Sequence, residues 1–289
     1  MVENRVAVVT GAGAGLGRAE ALALAARGAA VVVSDVSASA HDVADEIAAS
    51  GGTASAVVAD VAERAGADAM LAAARKLGGL HIVVNNAGFC RDRMLFSMTD
   101  DDWDDVIRVH LRGHFLLSQA ATAHWRTESK LAGEPVYGRL INTASEAFLF
   151  GSVGQPNYAA AKAGIAALTV AAARGCGRYG VTANAICPRA RTAMTEAVFG
   201  QFDGGGIDPL SPEHVARFVA FLASPAAADI NGQVFVVHGS MVALMAPPTV
   251  EQRFDADGTW TDDSLATSVG AYFAGRDPAR MFAAREIRT

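Results

Sequence analysis

The sequence predicts a doubly wound α/β fold, in which a parallel sheet is covered by helices on both faces. Apolar, β-branched segments of strand length alternate with segments of helical length along most of the 289 residues, and this alternation is typical of parallel strands joined by crossover helices. The first apolar segment also ends in glycines at positions 11, 13, 15 and 17, immediately ahead of an alanine-rich segment. That order indicates a strand, a tight turn and a helix whose N-terminus can receive a phosphate group.

The predicted elements follow one another in a regular order. Strands are expected at residues 5–11, 29–34, 53–59, 80–84, 138–145 and 232–237, and helices from the glycine turn to residue 27, at 40–50, 63–77, 101–125 and 159–173, and after Ser211. Residues 127–137 are predicted to form a surface loop, and residues 189–208 a mobile lid beside the site. A catalytic domain is predicted at residues 1–240, with residues 241–289 as an extension packed on it or on a neighbouring subunit.

The glycine turn and the end of the second strand indicate a dinucleotide site. The turn fits the spacing Thr10-Gly-x-x-x-Gly-x-Gly17 and not Gly-x-Gly-x-x-Gly, but in both spacings the missing side chains let the backbone approach a pyrophosphate. A flexible glycine linker is the alternative, and the closely flanking strand and helix disfavour it. Asp35 ends the second strand, where a carboxylate suits a ribose 2′-hydroxyl and repels a 2′-phosphate. The cofactor is therefore predicted to be NAD, unless Asp35 is only a solvated strand-end residue.

A tyrosine and a lysine four residues apart form the candidate catalytic pair. Tyr158 and Lys162 lie on one face of a predicted helix, and Pro156 suits the first turn of that helix. A nearby ammonium group favours the phenolate and lowers the pKa of a tyrosine, which is ~10 when unperturbed. Ser145 ends the preceding strand, where its hydroxyl could donate to the same substrate oxygen. An isolated Tyr-x-x-x-Lys is usually coincidental, and the glycine turn ahead of it makes the functional interpretation stronger.

Taken in order, these motifs, Asp60 and the segment Asn85-Asn-Ala-Gly88 resemble the short-chain dehydrogenase/reductase family over about residues 4–240. The resemblance implies a single Rossmann domain with a seven-stranded parallel sheet. It implies that Tyr158 is the acid/base, that Ser145 orients the substrate oxygen, and that Lys162 holds the nicotinamide ribose and lowers the pKa of Tyr158. The cofactor-binding residues that it implies are Gly11, Gly15, Leu16, Gly17, Asp35, Asp60, Val61, Asn86, Ala87, Gly88, Tyr158, Lys162 and Pro188.

Two positions depart from the family pattern. The family's fourth catalytic residue is usually an asparagine, but the segment Val109-His-Leu-Arg-Gly113 places His110 there. We interpret His110 as a neutral substitute that holds a water near Lys162, with a packed histidine as the alternative. The family's Pro-Gly after the sixth strand is here Pro188-Arg-Ala-Arg191, so the loop at the nicotinamide end has a different composition.

A more specific resemblance comes from four segments: Arg91-Asp-Arg, Val109-His-Leu-Arg-Gly113, residues 154–162 and Met194-Thr-Glu. They are similar to the (3R)-hydroxyacyl-CoA dehydrogenases of the family, as in peroxisomal multifunctional enzyme type 2 and its stand-alone bacterial relatives. The glycine-rich insertion after the second strand, frequent in that group, is absent, since Val36 follows Asp35 directly. The resemblance implies NAD-dependent interconversion of a 3-hydroxyacyl-CoA and a 3-oxoacyl-CoA. The alternatives are a dehydrogenase of a free secondary alcohol, such as a steroid or terpenoid, and a non-catalytic cofactor-binding protein.

Composition and charge limit the binding partners and the cellular location that we expect for the protein. The net charge of −6 disfavours nucleic acid and anionic membrane surfaces, and no uncharged apolar run has the length of a bilayer span. The three cysteines are far apart and contain no Cys-x-x-Cys pair, and the histidines show no metal-ligand spacing. We therefore expect a cytoplasmic protein with a small-molecule substrate and no metal. The predicted helix 159–173 is apolar on nearly every side, which indicates a homodimer or homotetramer.

Overall fold

The computed structural model of the chain describes residues 1–284. Its strands are β1 Val6–Thr10, β2 Ala30–Asp35, β3 Ala54–Val58, β4 Ile82–Asn85, β5 Gly138–Thr143, β6 Val181–Pro188, β7 Val234–His238 and β8 Met241–Leu244. Its helices are α1 Gly15–Ala25, α2 Ser39–Ala49, α3 Arg64–Lys76, α4 Asp100–Ile107, α5 Gly113–Ala132, α6 Ala147–Phe150, α7 Pro156–Cys176, α8 Glu196–Phe199, α9 Pro212–Leu222, α10 Asp262–Leu265 and α11 Ala271–Ala274. The predicted doubly wound α/β architecture is confirmed.

The described strands form one sheet in the order β3-β2-β1-β4-β5-β6-β7-β8. The pairs from β3 to β7 are all parallel, and β7 pairs with β8 in antiparallel register, with Val236 opposite Ala243. The order reverses between β1 and β4, which is the position where open α/β sheets bind ligands at their carboxyl edge.

The eighth strand corrects the predicted strand count of seven. β8 lies within the segment predicted as an extension, and only Gly239 and Ser240 separate it from β7. Gly239 has a φ of +50°, which suits the tight turn of a two-residue hairpin. The extension therefore starts as part of the sheet. The Gly-Ser pair between two apolar runs was the sequence signal for this hairpin.

Alternation along the strands divides the core between the two faces of the sheet. Val31 and Val33 of β2 belong to a cluster with α1 and α9, whereas Val32 packs with α3 and α5 on the opposite face. Both clusters are buried, so the central strands are apolar on both faces, as expected for a covered parallel sheet.

Helices α4 and α5 are continuous through a π-helical segment, Arg108–Arg112. Thr99 caps the start of α4 with a reciprocal capping box to Asp102, and Gly133 ends α5 in a left-handed conformation with a φ of +74°. Because α5 continues to Ala132, the prediction of a surface loop from residue 127 was wrong over its first half. Short π segments often occur at functional sites, and this one carries His110.

Buried amides connect the centre of the sheet to the helices that cover it. The Asn85 side chain donates to Ser118 Oγ at 3.1 Å and to Asn142 Oδ1 at 2.9 Å, and Asn142 donates to Thr169 Oγ1 at 2.9 Å. These bonds join β4 and β5 to α5 and α7 directly below the carboxyl edge, so they fix the ends of the two strands relative to the two helices.

Candidate active site

The predicted catalytic groups converge at the carboxyl edge of the sheet. Ser145 lies two residues beyond the end of β5, and Tyr158 and Lys162 lie in the first two turns of α7. Pro156 is the first residue of α7, as predicted. Lys162 Nζ is 5.3 Å from the centroid of the Tyr158 ring. Tyr158 and Lys162, which were predicted from their spacing, are therefore neighbours, and Ser145, predicted from its place at a strand end, is close enough to affect the pKa of Tyr158.

Lys162 is almost completely buried and its ammonium group donates to the carbonyl oxygen of Thr143 at 2.6 Å. Burial lowers the pKa of Lys162 to about 8. The ammonium is thus fixed beneath the Tyr158 ring, and its charge is sensitive to pH in the mildly basic range.

The pKa of Tyr158 differs from the prediction. Burial raises it above the usual value, the thiol of Cys90 also raises it, and a hydrogen bond with the Ser145 hydroxyl lowers it without offsetting burial. The expected lowering by Lys162 was therefore wrong for this arrangement, because the loss of hydration of the phenolate dominates. Ser145 Oγ also accepts a hydrogen bond from Ala147 N at 3.2 Å, which orients its hydroxyl.

His110 packs against Tyr158. Its ring makes an edge-to-face contact with Tyr158 at a centroid distance of 5.1 Å. Its Nε2 lies 3.0 Å from Phe89 N and 2.7 Å from Phe89 O, and its buried Nδ1 has no hydrogen-bond partner in the described structure. A Cβ on Gly88 would lie 2.1 Å from the imidazole, so glycine is required there. Burial, followed by the charge of Lys162, lowers the pKa of His110 to about 3.

The imidazole is therefore neutral throughout the physiological pH range, as the water-holding hypothesis requires. We expect His110→Asn to retain activity and His110→Leu to lose it, because leucine fills the space without a polar atom and an unsatisfied buried partner costs ~1–3 kcal/mol. The pH–rate profiles of the three proteins, with thermal melts to detect unfolding, test this. A stable and fully active His110→Leu protein would show that His110 only packs.

The glycine turn has space only for its own backbone. A Cβ on Gly11 would lie 2.8 Å from Ala87 Cα, and a Cβ on Gly17 would lie 2.3 Å from Gly11 O. The Thr10 hydroxyl accepts from the amides of Asn86 at 3.0 Å and Ala87 at 3.1 Å. The segment after β4 is therefore fixed against the turn, which explains why Gly11, Gly17, Asn86 and Ala87 lie together.

The turn fits a dinucleotide pyrophosphate. Gly15, with a φ of +54°, starts α1, and a Cβ added there would meet only Thr192, at 3.4 Å. An exposed helix N-terminus without side chains is suited to an anionic phosphate. Leu16, in contrast, packs partly against the core, so its contribution to a cofactor would come from its backbone.

Asp35 ends β2 beside the glycine turn. Its Oδ2 accepts from Gly13 N at 3.0 Å, and its Oδ1 accepts from Ser37 N at 2.9 Å. The carboxylate therefore borders the glycine turn itself.

Asp60 is held by a residue that the sequence reasoning missed. Arg108 donates to Asp60 Oδ2 at 2.8 Å and Ala62 N donates to Oδ1 at 2.8 Å. Burial tends to raise the pKa of Asp60, but these two hydrogen bonds lower it overall. Arg108 lies two residues before His110 in the π segment. Val61 is buried beneath Gly113, where a Cβ would lie 2.9 Å from it.

The predicted lid begins where Pro188 ends β6. Arg191 anchors it by donating to Asp208 Oδ2 at 2.8 Å and to Phe199 O at 2.6 Å. The segment contains the short helix α8, which the sequence did not predict.

Within residues 1–284, no three His, Cys, Asp or Glu side chains are grouped as a metal site requires, and no helix has the length and hydropathy to cross a bilayer.

Comparison with known proteins gives the family. The model of the short chain dehydrogenases matches residues 5–201. The chain belongs to the short-chain dehydrogenase family. It is 60% identical to hydroxyacyl-CoA dehydrogenase ChsB1 of Mycobacterium tuberculosis, over 99% of this chain and 94% of that protein. It is 39% identical to peroxisomal multifunctional enzyme type 2 of Mus musculus, over 84% of this chain and 33% of that protein.

A solved structure agrees with the fold. The crystal structure of a short chain dehydrogenase from Mycobacterium avium superposes with a TM-score of 0.87 and 45% identity, over 98% of this chain and 99% of that one. The family prediction is thereby confirmed, and the chain is an oxidoreductase that acts on CH–OH groups with a nicotinamide cofactor.

Proposed function

We propose that this dehydrogenase interconverts a 3-hydroxyacyl-CoA and a 3-oxoacyl-CoA with NAD. The observation that carries the proposal is the 60% identity, along 99% of the chain, with a hydroxyacyl-CoA dehydrogenase. The similarity to the peroxisomal multifunctional enzyme supports the same substrate class. The cluster of Ser145, Tyr158 and Lys162 supports catalysis over a purely cofactor-binding role.

We propose the following roles for the residues of this cluster. The substrate hydroxyl is positioned by the hydroxyls of Ser145 and Tyr158, which are close enough for Ser145 to lower the pKa of Tyr158 against the effect of burial. During reduction the Tyr158 hydroxyl donates its proton to the substrate oxygen, and during oxidation the phenolate form of Tyr158 accepts it. The glycine turn and Asp35 would hold NAD, which would supply the acceptor for the hydride that leaves the carbon carrying the hydroxyl. Lys162 would bind the nicotinamide ribose. The hydrogen bond from its ammonium group to the carbonyl oxygen of Thr143 fixes that group below the phenol of Tyr158.

Steady-state turnover of a panel tests the substrate class. The panel contains 3-hydroxyacyl-CoAs of several chain lengths, the matching free 3-hydroxy acids, and cyclic secondary alcohols. We expect the CoA esters to have the highest kcat/KM. Better turnover of a free cyclic alcohol would favour the steroid or terpenoid alternative, and no turnover of any compound, with NAD still bound, would favour the non-catalytic one.

Cofactor choice is proposed to follow from Asp35. A 2′-phosphate would lie beside a carboxylate that already accepts hydrogen bonds from Gly13 and Ser37, and two anions in contact repel each other. We expect kcat/KM to be at least ~10-fold higher with NAD than with NADP, and Asp35→Ala to reduce this ratio. Asp42→Ala, at an exposed position of α2, is the matched control. Equal efficiency of the natural protein with both cofactors would refute the assignment.

A homodimer or homotetramer is proposed from the outer face of α7. Ala160, Ala163, Ala167 and Ala171 are exposed at helical spacing along this face, so an uncharged stripe of α7 is left for a second copy. Ala167→Glu should shift the assembly toward monomer, whereas Ala72→Glu on the exposed face of α3 should not. Light scattering at micromolar concentration measures both. A natural protein that is already monomeric would contradict the proposal.

We also propose a cytoplasmic location and no nucleic-acid partner. The three cysteines are unpaired, which suits a reducing compartment, and the net charge is −6.

A further inference from the structure

An ion pair connects the two loops that flank the reaction site. Glu146 directly follows Ser145, and Arg189 directly follows Pro188, the last residue of β6. The parent strands β5 and β6 are hydrogen-bonded neighbours, with Thr143 opposite Ile186. One partner therefore belongs to the serine loop and the other to the loop predicted to contact the nicotinamide end of the cofactor.

The pair is bidentate and shielded. Arg189 Nε lies 2.5 Å from Glu146 Oε2, and Nη2 lies 2.6 Å from Oε1. The exposed fractions of the side chains are 19% for Arg189 and 13% for Glu146. Two parallel charge-assisted hydrogen bonds fix both the distance between the two side chains and their relative orientation. Because the pair is shielded from water, salt screens the attraction between the two charges less.

Each partner is also fixed through its backbone. The Glu146 carbonyl accepts from the amides of Leu149 at 2.9 Å and Phe150 at 3.0 Å, so it forms the first turn of α6. Arg189 N donates to Val237 O at 3.0 Å. His238, at the end of β7, lies with Nε2 3.4 Å from Arg189 Nη1. The pair thus joins α6 and the ends of β5, β6 and β7.

We propose that Glu146 and Arg189 are positioning residues, which hold the Ser145 hydroxyl and the loop after Pro188 at the separation that hydride transfer requires. Neither residue needs to touch the substrate for this role. Small displacements of reacting groups have large effects on rate, so a pair that fixes two neighbouring loops of the site should affect turnover more than stability.

The proposal rests on the oxidation of an alcohol by this site and not on the CoA part of the proposed substrate. The test therefore uses whichever secondary alcohol of the panel the natural protein oxidises best. Glu146→Gln keeps the shape and removes the charge, and Arg189→Met keeps the length of the side chain. We expect each variant to lower kcat about tenfold, with little change in KM.

A double variant shows whether the two residues act as a unit. Glu146→Gln combined with Arg189→Met should lower kcat about as much as either single change, because the same interaction is lost only once. The matched control is Glu46→Gln, which breaks a second bidentate Arg–Glu pair, Arg18–Glu46, on α1 and α2. That variant should leave kcat unchanged.

Measurements of ligand affinity, made without turnover, distinguish a positioning role of the pair from a general loss of protein stability. Affinity for NADH, measured by its fluorescence, should weaken about fivefold in Glu146→Gln, whereas affinity for ADP-ribose, which lacks the nicotinamide, should not change. Arg189→Lys, which keeps the charge, should recover part of the kcat lost in Arg189→Met.

Two results would overturn the proposal: kcat within twofold of the natural protein in both single variants, or equal weakening of NADH and ADP-ribose. If the natural protein oxidises no alcohol, the proposed function fails, and the comparison of NADH with ADP-ribose still tests the positioning role.

Discussion

Replacement of Tyr158 by phenylalanine is expected to lower turnover by ~10²–10⁴-fold. Phenylalanine keeps the ring that contacts His110 and lies above Lys162, and it removes only the hydroxyl that exchanges a proton with the substrate. Cofactor affinity should change little, because the glycine turn and Asp35 are untouched. The measurements are kcat on the best substrate of the panel and the dissociation constant of NADH.

The control is Tyr179→Phe, which removes a phenol hydroxyl that pairs with Arg178 away from the site. It should leave kcat unchanged. A Tyr158→Phe protein with near-full activity would refute the mechanism as a whole, since no other described side chain in the cluster has been assigned the proton.

Substitution of Glu20 should have the largest effect on stability. Glu20 lies in α1 with no exposed surface, and neither of its carboxyl oxygens has a hydrogen-bond partner in the described structure. Burial raises its pKa from 4.5 to about 8. At 1.36 kcal/mol per pKa unit, this difference corresponds to as much as about 5 kcal/mol of lost stability once the group must ionise.

The direction of the pH dependence of stability follows from proton linkage. Between pH 4.5 and about 8 the folded state keeps a proton that the unfolded chain releases, so the free energy of unfolding decreases as pH rises through this range. Below pH 4.5, Glu20 is neutral in both the folded and the unfolded state, so its ionisation does not reduce the free energy of unfolding.

Glu20→Met should therefore raise the melting temperature more at pH 8 than at pH 5. Glu20→Gln, with the same shape and no charge, is the control. It should flatten the pH dependence of the free energy of unfolding, but it lacks the added stability that a buried apolar side chain gives. Denaturant unfolding at several pH values measures both. A pH dependence that is unchanged in Glu20→Gln would show that another group is responsible.

The parts of the molecule that repeat a local pattern were predictable from the sequence. Strand–helix alternation predicted a parallel sheet covered by helices on both faces, and the glycines at 11 and 17 predicted a tight turn, where the structure leaves no space for a Cβ. The spacing of Tyr158 and Lys162 needed only helical geometry to bring them together.

The parts that depend on long-range contacts were not predictable. The pairing of Arg108 with Asp60 and of Arg189 with Glu146 joins residues far apart in the chain, and no spacing rule connects them. The pKa of Tyr158 was wrong in direction because its burial depends on the packing of the whole site. Glu20 has an ordinary helical context in sequence, and only the packing of α1 shows that it is enclosed.

The hairpin to β8 has a consequence for solubility. Without β8, the hydrogen-bonding edge of β7 would be open to strands of other molecules, and such edges promote aggregation. β8 covers that edge, is only four residues long, and is followed by Pro247 and Pro248, which cannot donate backbone hydrogen bonds. Its outward residues Val242 and Leu244 are exposed, so the brevity of the strand and the prolines are what limit its growth into a larger intermolecular sheet. A chain ending at Ser240 should therefore remain folded at its cofactor end and yet precipitate at concentrations that the full chain tolerates.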